Sequence, residues 1–310
     1  MNKELLEDLI YITSERSKIR GDIIEKDYYV CLILKELASK QKEYFAYFKG
    51  GTAVYKTLNV MKRFSEDIDL TVKVIKDDSK NSNKNRLKKS ALNYKIDGLE
   101  LIKDKTIDKK GSITSFYKYD SVFNTKDLYK SGEIQIEATS FTVSEPVKTY
   151  YIEPLVYKYA TEDEKEILKR NFDISGFNIQ MIELERIFVD KIFACEFYYI
   201  RHNYKDAVKH LYDITILSNN ENIVNLLKNK NKLLKLINYK REEERQRIGG
   251  IEENKKIKNF EYMKACFDKE FIDSFNNMHA LYVLDLDAII TIEEARKNLM
   301  KLLNIFKKLD

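Results

Sequence analysis

The chain has 310 residues, of which 44% are hydrophobic and 34% are charged, and its formal net charge is +5. This length favours two domains with sizeable cores, and so small a charge does not by itself predict nucleic-acid binding. No apolar run approaches 18 residues and the N-terminus carries acids among its apolar positions, so we expect neither a membrane span nor a secretory signal. The widely spaced Cys31, Cys195 and Cys266 predict buried free thiols and a cytoplasmic location.

Two helices are predicted first, at residues 3–18 and 22–40. Asp22 and Glu25 have the spacing of a capping box at the start of the second helix. The charged residues from Glu25 to Asp27 are then explained largely by their closeness to the helix N-terminus, where acids offset the helix dipole.

A strand, a glycine turn and a short helix follow. Gly50, Gly51 and Thr52 come directly after the apolar strand 44–48 and open a helical pattern that runs to about Met61. This arrangement directs backbone N–H groups at an anion, and phosphate is the obvious candidate.

A pair of aspartates follows this helix. In the predicted strand 67–72, acids alternate with aliphatic residues, so Asp67 and Asp69 leave one face while Ile68 and Leu70 enter the core. Two acids roughly 6.6 Å apart along a strand can share divalent metal ions. A phosphate site followed by a carboxylate pair indicates metal-dependent chemistry on a nucleotide.

The lysine-rich segment 77–90 reads as an exposed loop entering a helix that runs to about residue 101. It is either a solvated surface or a contact for a nucleic-acid backbone. Strands are predicted next, at 113–123, 132–143 and 147–152.

Glu137 is the candidate for a third carboxylate, which a two-metal site usually needs. In its strand, polar residues alternate with isoleucines and share one face. An ordinary solvent-facing sheet surface is the alternative interpretation of this segment.

From Thr161 onward the periodicity is helical with almost no strand signal. We therefore predict an α+β protein, with an α/β domain at 1–160 and an all-helical domain at 161–310. The segment 228–247 carries a local charge of +5 around an apolar stripe. It is either a helix with solvated basic flanks or an RNA-binding face. The predicted helices are 180–201, 204–218, 221–237, 254–276 and 291–308.

Several motifs together resemble a known family. KGGT at 49–52 followed by RFSEDIDL at 63–70 resembles the signature of AbiEii nucleotidyltransferase-like toxins, within the polymerase-beta-type nucleotidyltransferase superfamily. The resemblance covers residues 24–214, and the last hundred residues carry no recognised motif. Weaker matches are EKDYY at 25–29, IQIE at 134–137, LERIFVDK at 184–191 and KHLYDI at 209–214.

The resemblance implies a nucleotidyltransferase-fold mixed sheet with flanking helices, followed by the helical domain, with the active site in the cleft between them. It implies that Asp67, Asp69 and Glu137 bind two Mg²⁺ or Mn²⁺ ions. Thr52 replaces the serine common in the superfamily, and Glu137 stands where the last metal ligand is usually aspartate. The implied nucleotide-binding residues are Gly50, Gly51, Thr52 and Lys191.

The resemblance also implies roles for two residues of the helical half. Lys191 would contact the triphosphate, and Asp213 would position Lys191 or the acceptor. From the residues alone, Lys191 is equally a lysine whose stem packs on apolar surface, and Asp213 is equally a structural partner for a cation.

By resemblance the protein would be a toxin of a toxin–antitoxin or phage-defence system, transferring a nucleotide from an NTP to an acceptor such as the 3′ end of tRNA, with an antitoxin as a partner. Two alternatives stay open. The same site could modify a protein or transfer a terminal phosphate, or the fold could serve as a non-catalytic nucleotide-binding interaction module.

Overall fold

The computed structural model describes residues 2–58, 63–123, 132–247, 249–283 and 286–309. The chain packs as two compact units. The first comprises Met1–Ser140 and Val147–Ile182, and the second comprises Phe141–Pro146 and Glu183–Asp310. The chain thus leaves the first unit after residue 140, returns at 147 and leaves it again after 182. A domain boundary at residue 160 stays a prediction.

In the described part of the first unit the helices are α1 (Lys3–Ser17), α2 (Gly21–Tyr44), α3 (Gly50–Leu58), α4 (Lys80–Leu92), α5 (Leu155–Lys158) and α6 (Glu162–Phe172). In that of the second they are α7 (Leu184–Tyr199), α8 (Tyr204–Leu217), α9 (Glu221–Lys228), α10 (Lys230–Gln246), α11 (Lys269–Tyr282) and α12 (Ile292–Phe306).

The first unit is built on one mixed eight-stranded sheet. Its strands are β1 (Ala46–Lys49), β2 (Ile68–Val72), β3 (Leu99–Leu101), β4 (Ile107–Lys109), β5 (Ser112–Tyr119), β6 (Glu133–Thr139), β7 (Val147–Ile152) and β8 (Phe177–Ile182). Their order in the sheet is β3-β5-β6-β2-β1-β8-β7, with β4 pairing to β5. Strand β2 is antiparallel to β1 and parallel to β6.

The predicted order of strand, glycine turn, helix and strand is confirmed by β1, α3 and β2. Residues alternate between buried and partly exposed along β1, as its sequence AYFK predicts. Helix α3 begins at Gly50, two residues earlier than predicted, and its predicted end at Met61 lies outside the described residues.

One face of the sheet is covered by α2 and α4. The Ser115 hydroxyl of β5 donates a hydrogen bond of 2.7 Å to the Ala91 carbonyl oxygen of α4. Ser115 is the register partner of Ile136, which in turn pairs with Ile68 of β2. Because register partners share a face and neighbours along a strand alternate, residues 69 and 137 lie on the opposite face from α4.

The expected capping box at the start of α2 is wrong. Helix α2 begins at Gly21, its N-cap residue Arg20 makes no side-chain capping bond, and the Asp22 carboxylate accepts hydrogen bonds from Arg20 instead. Glu25 and Asp27 are buried and bond to segments far along the chain. These residues hold the core together rather than cap a helix.

In the described part of the second unit, every regular element is a helix. Helix α7 packs on α8, α9 and α10, and α8 packs on α11 and α12, around buried aromatic rings such as Phe193 and Phe271. The predicted helix 221–237 divides at Asn229, whose side chain accepts the backbone N–H of Lys232 and caps α10.

Three departures from the predicted secondary structure remain. The predicted helix 254–276 is instead two short 3₁₀ helices, Ile257–Asn259 and Glu261–Phe267, followed by α11, which begins at Lys269. The strand β8, Phe177–Ile182, was missed although its sequence FNIQM alternates apolar and polar residues as a half-buried strand does, because its second half was assigned to the predicted helix 180–201. The helix predicted to reach residue 101 ends at Leu92 and is followed by β3.

The three cysteines are free and buried, as predicted, and burial raises the pKa of the Cys31 thiol to about 12. Over the part of the chain that the structure describes, no helix is long and apolar enough to span a membrane.

Candidate active site

The glycine turn brings the backbone against the second aspartate of the pair. Gly50 has φ +83°, a conformation that side chains other than glycine rarely adopt, and a Cβ atom added there would overlap the Asp69 carboxylate. The start of α3 and the Asp69 carboxylate are therefore in direct contact, and only glycine permits this approach.

Asp69 and Glu137 lie side by side on the face of the sheet that α4 does not cover. They are register partners on the parallel strands β2 and β6, and both are partly exposed. Across β1, Lys49 is the register partner of Asp69, and across β5, Thr114 is the partner of Glu137. Four neighbouring strands thus present one continuous row, Lys49, Asp69, Glu137 and Thr114.

Asp67 lies one residue before β2 and is exposed. Among the residues that the structure describes, no three His, Cys, Asp or Glu side chains are grouped closely enough to hold a metal ion. Asp69 and Glu137 nevertheless supply the carboxylate oxygens that Mg²⁺ and Mn²⁺ prefer. This donor chemistry fits a hard divalent cation, and the assignment of Asp67, Asp69 and Glu137 as metal ligands stays a prediction.

Thr52 links the glycine turn to the aspartate pair. Its side chain is fully buried, and its hydroxyl donates a 2.6 Å hydrogen bond to the Asp67 carbonyl oxygen and lies 3.1 Å from the Ser65 hydroxyl. The hydroxyl that threonine shares with serine is therefore used within the protein, where it fixes the segment leading into β2.

Replacement of Thr52 by valine, which has the same shape without the hydroxyl, is expected to lower the free energy of unfolding by about 1 kcal/mol, because the part-buried hydrogen bond to the Asp67 carbonyl oxygen is lost. Replacement by serine keeps the hydrogen bond and is expected to cost about 1 kcal/mol, for the lost methyl group. Urea unfolding measures both changes. Equal stability of the valine variant and the wild type would show that the bond is not needed.

The segment before β2 packs closely on the start of α3. A Cβ atom added to Gly51 would lie 2.6 Å from the Ser65 hydroxyl and 3.1 Å from a guanidinium nitrogen of Arg63. The Lys26 ammonium of α2 is buried and forms an ion pair with Glu66. The loop that carries Asp67 is therefore held by both α2 and α3.

Sequence reasoning missed Lys49 as a candidate site residue. The sequence places Lys49 at the end of the strand that precedes the glycine pair, which could have marked it as a candidate. Its position opposite Asp69, however, depends on strand register. Arg63 and Ser65, which contact the glycine turn, were likewise not singled out.

Lys191 and Asp213 form a buried ion pair of 2.8 Å between α7 and α8 in the second unit. The burial of Lys191 argues against a lysine that merely extends along the surface. Its predicted contact with the triphosphate, and the role of Asp213 in positioning it, stay predictions.

The two basic segments are explained mainly by local structure. The lysine-rich segment 77–90 forms α4 with Ser79 as its N-cap, on the sheet face opposite Asp69 and Glu137. In α10, the apolar stripe is largely buried and most of the basic residues bind carboxylates or backbone oxygens, which favours the amphipathic-helix interpretation. These pairs include Lys232 with Glu185, Lys240 with Glu243, Arg241 with the Glu253 carbonyl, and Arg245 with Glu242.

The mixed sheet with flanking helices and the helical region that follows it are consistent with the nucleotidyltransferase fold, and the α+β fold is as predicted. The chain belongs to the AbiEii family. The family profile described as "Nucleotidyl transferase AbiEii toxin, Type IV TA system" matches residues 32–279, or 248 of the 310 residues. The comparison with curated proteins gives no match.

The predicted family and enzyme class are thereby confirmed, and the protein is a nucleotidyltransferase. The family is one of nucleotidyl transferase toxins of type IV toxin–antitoxin systems. Membership implies an NTP substrate and an antitoxin as the counterpart in the system.

Proposed function

We propose that this protein is a cytoplasmic, metal-dependent toxin that transfers a nucleotide from an NTP to RNA, with the 3′ end of tRNA as the acceptor. The observation that carries the proposal is the contact between the Asp69 carboxylate and the Gly50 turn, beside Glu137 on the same sheet face. An anion-binding turn and a carboxylate pair are what transfer of a nucleotide from a triphosphate requires.

The backbone N–H groups of Gly51 and Thr52 stand in the first turn of α3, where the positive end of the helix dipole favours phosphate. The hydrogen bond from the Thr52 hydroxyl to the Asp67 carbonyl oxygen connects this turn directly to the first aspartate.

Asp67, Asp69 and Glu137 would hold the divalent ions, Mg²⁺ or Mn²⁺. When bound there, such ions lower the pKa of the attacking hydroxyl and offset phosphate charge. Asp69 and Glu137 are both partly exposed on the sheet face opposite α4, so ions can reach their carboxylates. In the reaction, the acceptor oxygen displaces pyrophosphate from the α-phosphorus and loses its proton to solvent.

The role of Lys191 in phosphate binding is supported by the family resemblance and by its buried ion pair with Asp213. A lysine ammonium can serve as a point charge for a phosphate. Asp213 would hold that ammonium in position until a triphosphate binds.

The test is labelling of total tRNA by the purified protein with each of the four NTPs, labelled either at the α- or at the γ-phosphate, in Mg²⁺. We expect α-label, and no γ-label, to appear in RNA, and chelation by EDTA to abolish the transfer, because the carboxylates cannot offset phosphate charge themselves. Sequencing of the labelled RNA identifies the position of the added nucleotide.

Other outcomes of this assay separate the alternatives. Transfer of γ-label alone would indicate a phosphotransferase, and α-label in protein rather than RNA would indicate a protein-modifying enzyme. Label transfer that persists in EDTA would contradict metal dependence.

A further inference from the structure

The end of β1 places a lysine beside the aspartate pair. Lys49 is the last residue of β1, directly before Gly50, and is the antiparallel register partner of Asp69. Directly opposite residues of antiparallel strands share a face with their Cβ atoms about 4.5–5.5 Å apart. Lys49 therefore extends from the same sheet face as Asp69 and Glu137, next to the glycine turn.

The ammonium of Lys49 is not bound by its neighbour. Directly opposed residues of opposite charge commonly pair across strands. Here, however, the Asp69 carboxylate turns toward Gly50, and Lys49 makes no ion pair or hydrogen bond with any residue that the structure describes. The partly exposed lysine thus keeps its charge available at the face that carries the carboxylates.

Other lysines close to the turn are committed to carboxylates of the protein. Lys26 pairs with Glu66 beneath the loop before β2, and Lys56 pairs with Asp27 at 2.6 Å on the buried side of α3. Lys49 differs from both in lying on the sheet face with the acids. Its charge is therefore suited to a ligand rather than to the core.

We propose that Lys49 is a substrate-binding residue that contacts a phosphate group of the NTP. The inference rests on the proposed function and assigns a further residue to that site. Lys49 would then contact a phosphate oxygen while Asp69, on the same sheet face, holds a metal ion. The N–H groups that open α3 and the ammonium that precedes them would then neutralise the same anion from adjacent positions.

The experiment measures the affinity of the full chain for NTP, NDP, NMP and nucleoside, by calorimetry in Ca²⁺ to slow turnover, for the wild type and the variants Lys49→Ala and Lys49→Arg. A charged hydrogen bond lost from a phosphate weakens binding by about 10- to 100-fold. We expect this loss for NTP in Lys49→Ala, recovery of most of it in Lys49→Arg, and unchanged affinity for the nucleoside. The smallest ligand among NMP, NDP and NTP that Lys49→Ala binds more weakly than the wild type does identifies the phosphate that Lys49 contacts.

Lys42→Ala is the matched control, because Lys42 is an exposed lysine near the end of α2. It should bind NTP as the wild type does. Thermal melting of each variant reports on folding, and an equal loss of NTP and nucleoside affinity in Lys49→Ala would overturn the assignment as a structural effect. NTP affinity of Lys49→Ala within twofold of the wild type would overturn the role of Lys49 alone, whereas failure of the wild type to bind any NTP would overturn the proposed function with it.

Discussion

Replacement of Asp69 by asparagine is expected to lower nucleotide transfer by at least about 10³-fold. The amide keeps the shape that fits against Gly50 but loses the charge on which metal binding depends. Stabilisation of transition-state charge by a bound ion contributes several kcal/mol, and each 1.36 kcal/mol is a factor of ten in rate. The measurement is the initial rate of α-label transfer, and growth arrest on expression of the wild type should be relieved by the same substitution.

The matched control is Glu100→Gln, which removes one charge from an exposed acid on β3 of the same sheet and should leave the rate unchanged. The companion variant Glu137→Gln should lose activity without losing stability, because like charges on neighbouring strands oppose folding and Glu137 has no hydrogen-bonding partner among the described residues. An Asp69→Asn enzyme that keeps more than a tenth of the wild-type rate would contradict the proposed role of this carboxylate.

The local parts of the site could be predicted from sequence, because their geometry is set by neighbours along the chain. A glycine pair between a strand and a helix requires the turn that Gly50 makes, and strict alternation in β2 separates Asp69 from Ile68 and Leu70. Both features follow from backbone periodicity and steric limits. They needed no knowledge of which strands pair.

The row from Lys49 to Thr114 could not be predicted, because it joins residues on four strands whose register is decided by long-range packing. The alternation in its strand made Glu137 a candidate, but its place beside Asp69 comes from the parallel pairing of β2 with β6. Lys49 belongs to the KGGT motif, but the sequence did not place it opposite Asp69. Sheet register is thus the information that local pattern lacks.

The charged start of α2 was misinterpreted although the sequence contained a usable signal. The following segment, Tyr28 to Leu34, is apolar all round and so had to be buried on every side. Charged residues one turn earlier on the same buried helix then need partners from other elements. Lys26 forms an ion pair with Glu66, and Asp27 forms one with Lys56. These pairs join residues that are 40 and 29 positions apart in the chain.

Asp27 connects three elements behind the glycine turn. Its carboxylate lies 2.6 Å from the Lys56 ammonium of α3, accepts a 3.0 Å hydrogen bond from the Tyr55 hydroxyl and accepts a 2.7 Å bond from the backbone N–H of Leu155. Burial disfavours the charged form of Lys56, yet the charge of Asp27 keeps the pKa of this lysine above its ordinary value. The pair therefore anchors α3, whose first turn is the proposed phosphate site, to α2.

Replacement of Asp27 by alanine is expected to lower the free energy of unfolding by about 3–5 kcal/mol, because the Lys56 ammonium is left buried without its counter-charge. The double variant Asp27→Ala, Lys56→Met removes both charges and should recover the part of that loss that comes from the unpaired ammonium. The Tyr55 hydroxyl and the Leu155 N–H still lose their acceptor, so the double variant should remain less stable than the wild type. Urea unfolding of the wild type, both single variants and the double variant gives the coupling free energy. Additive losses in the double variant would show that the two charges do not depend on each other, and that α3 is held in place mainly by its apolar contacts.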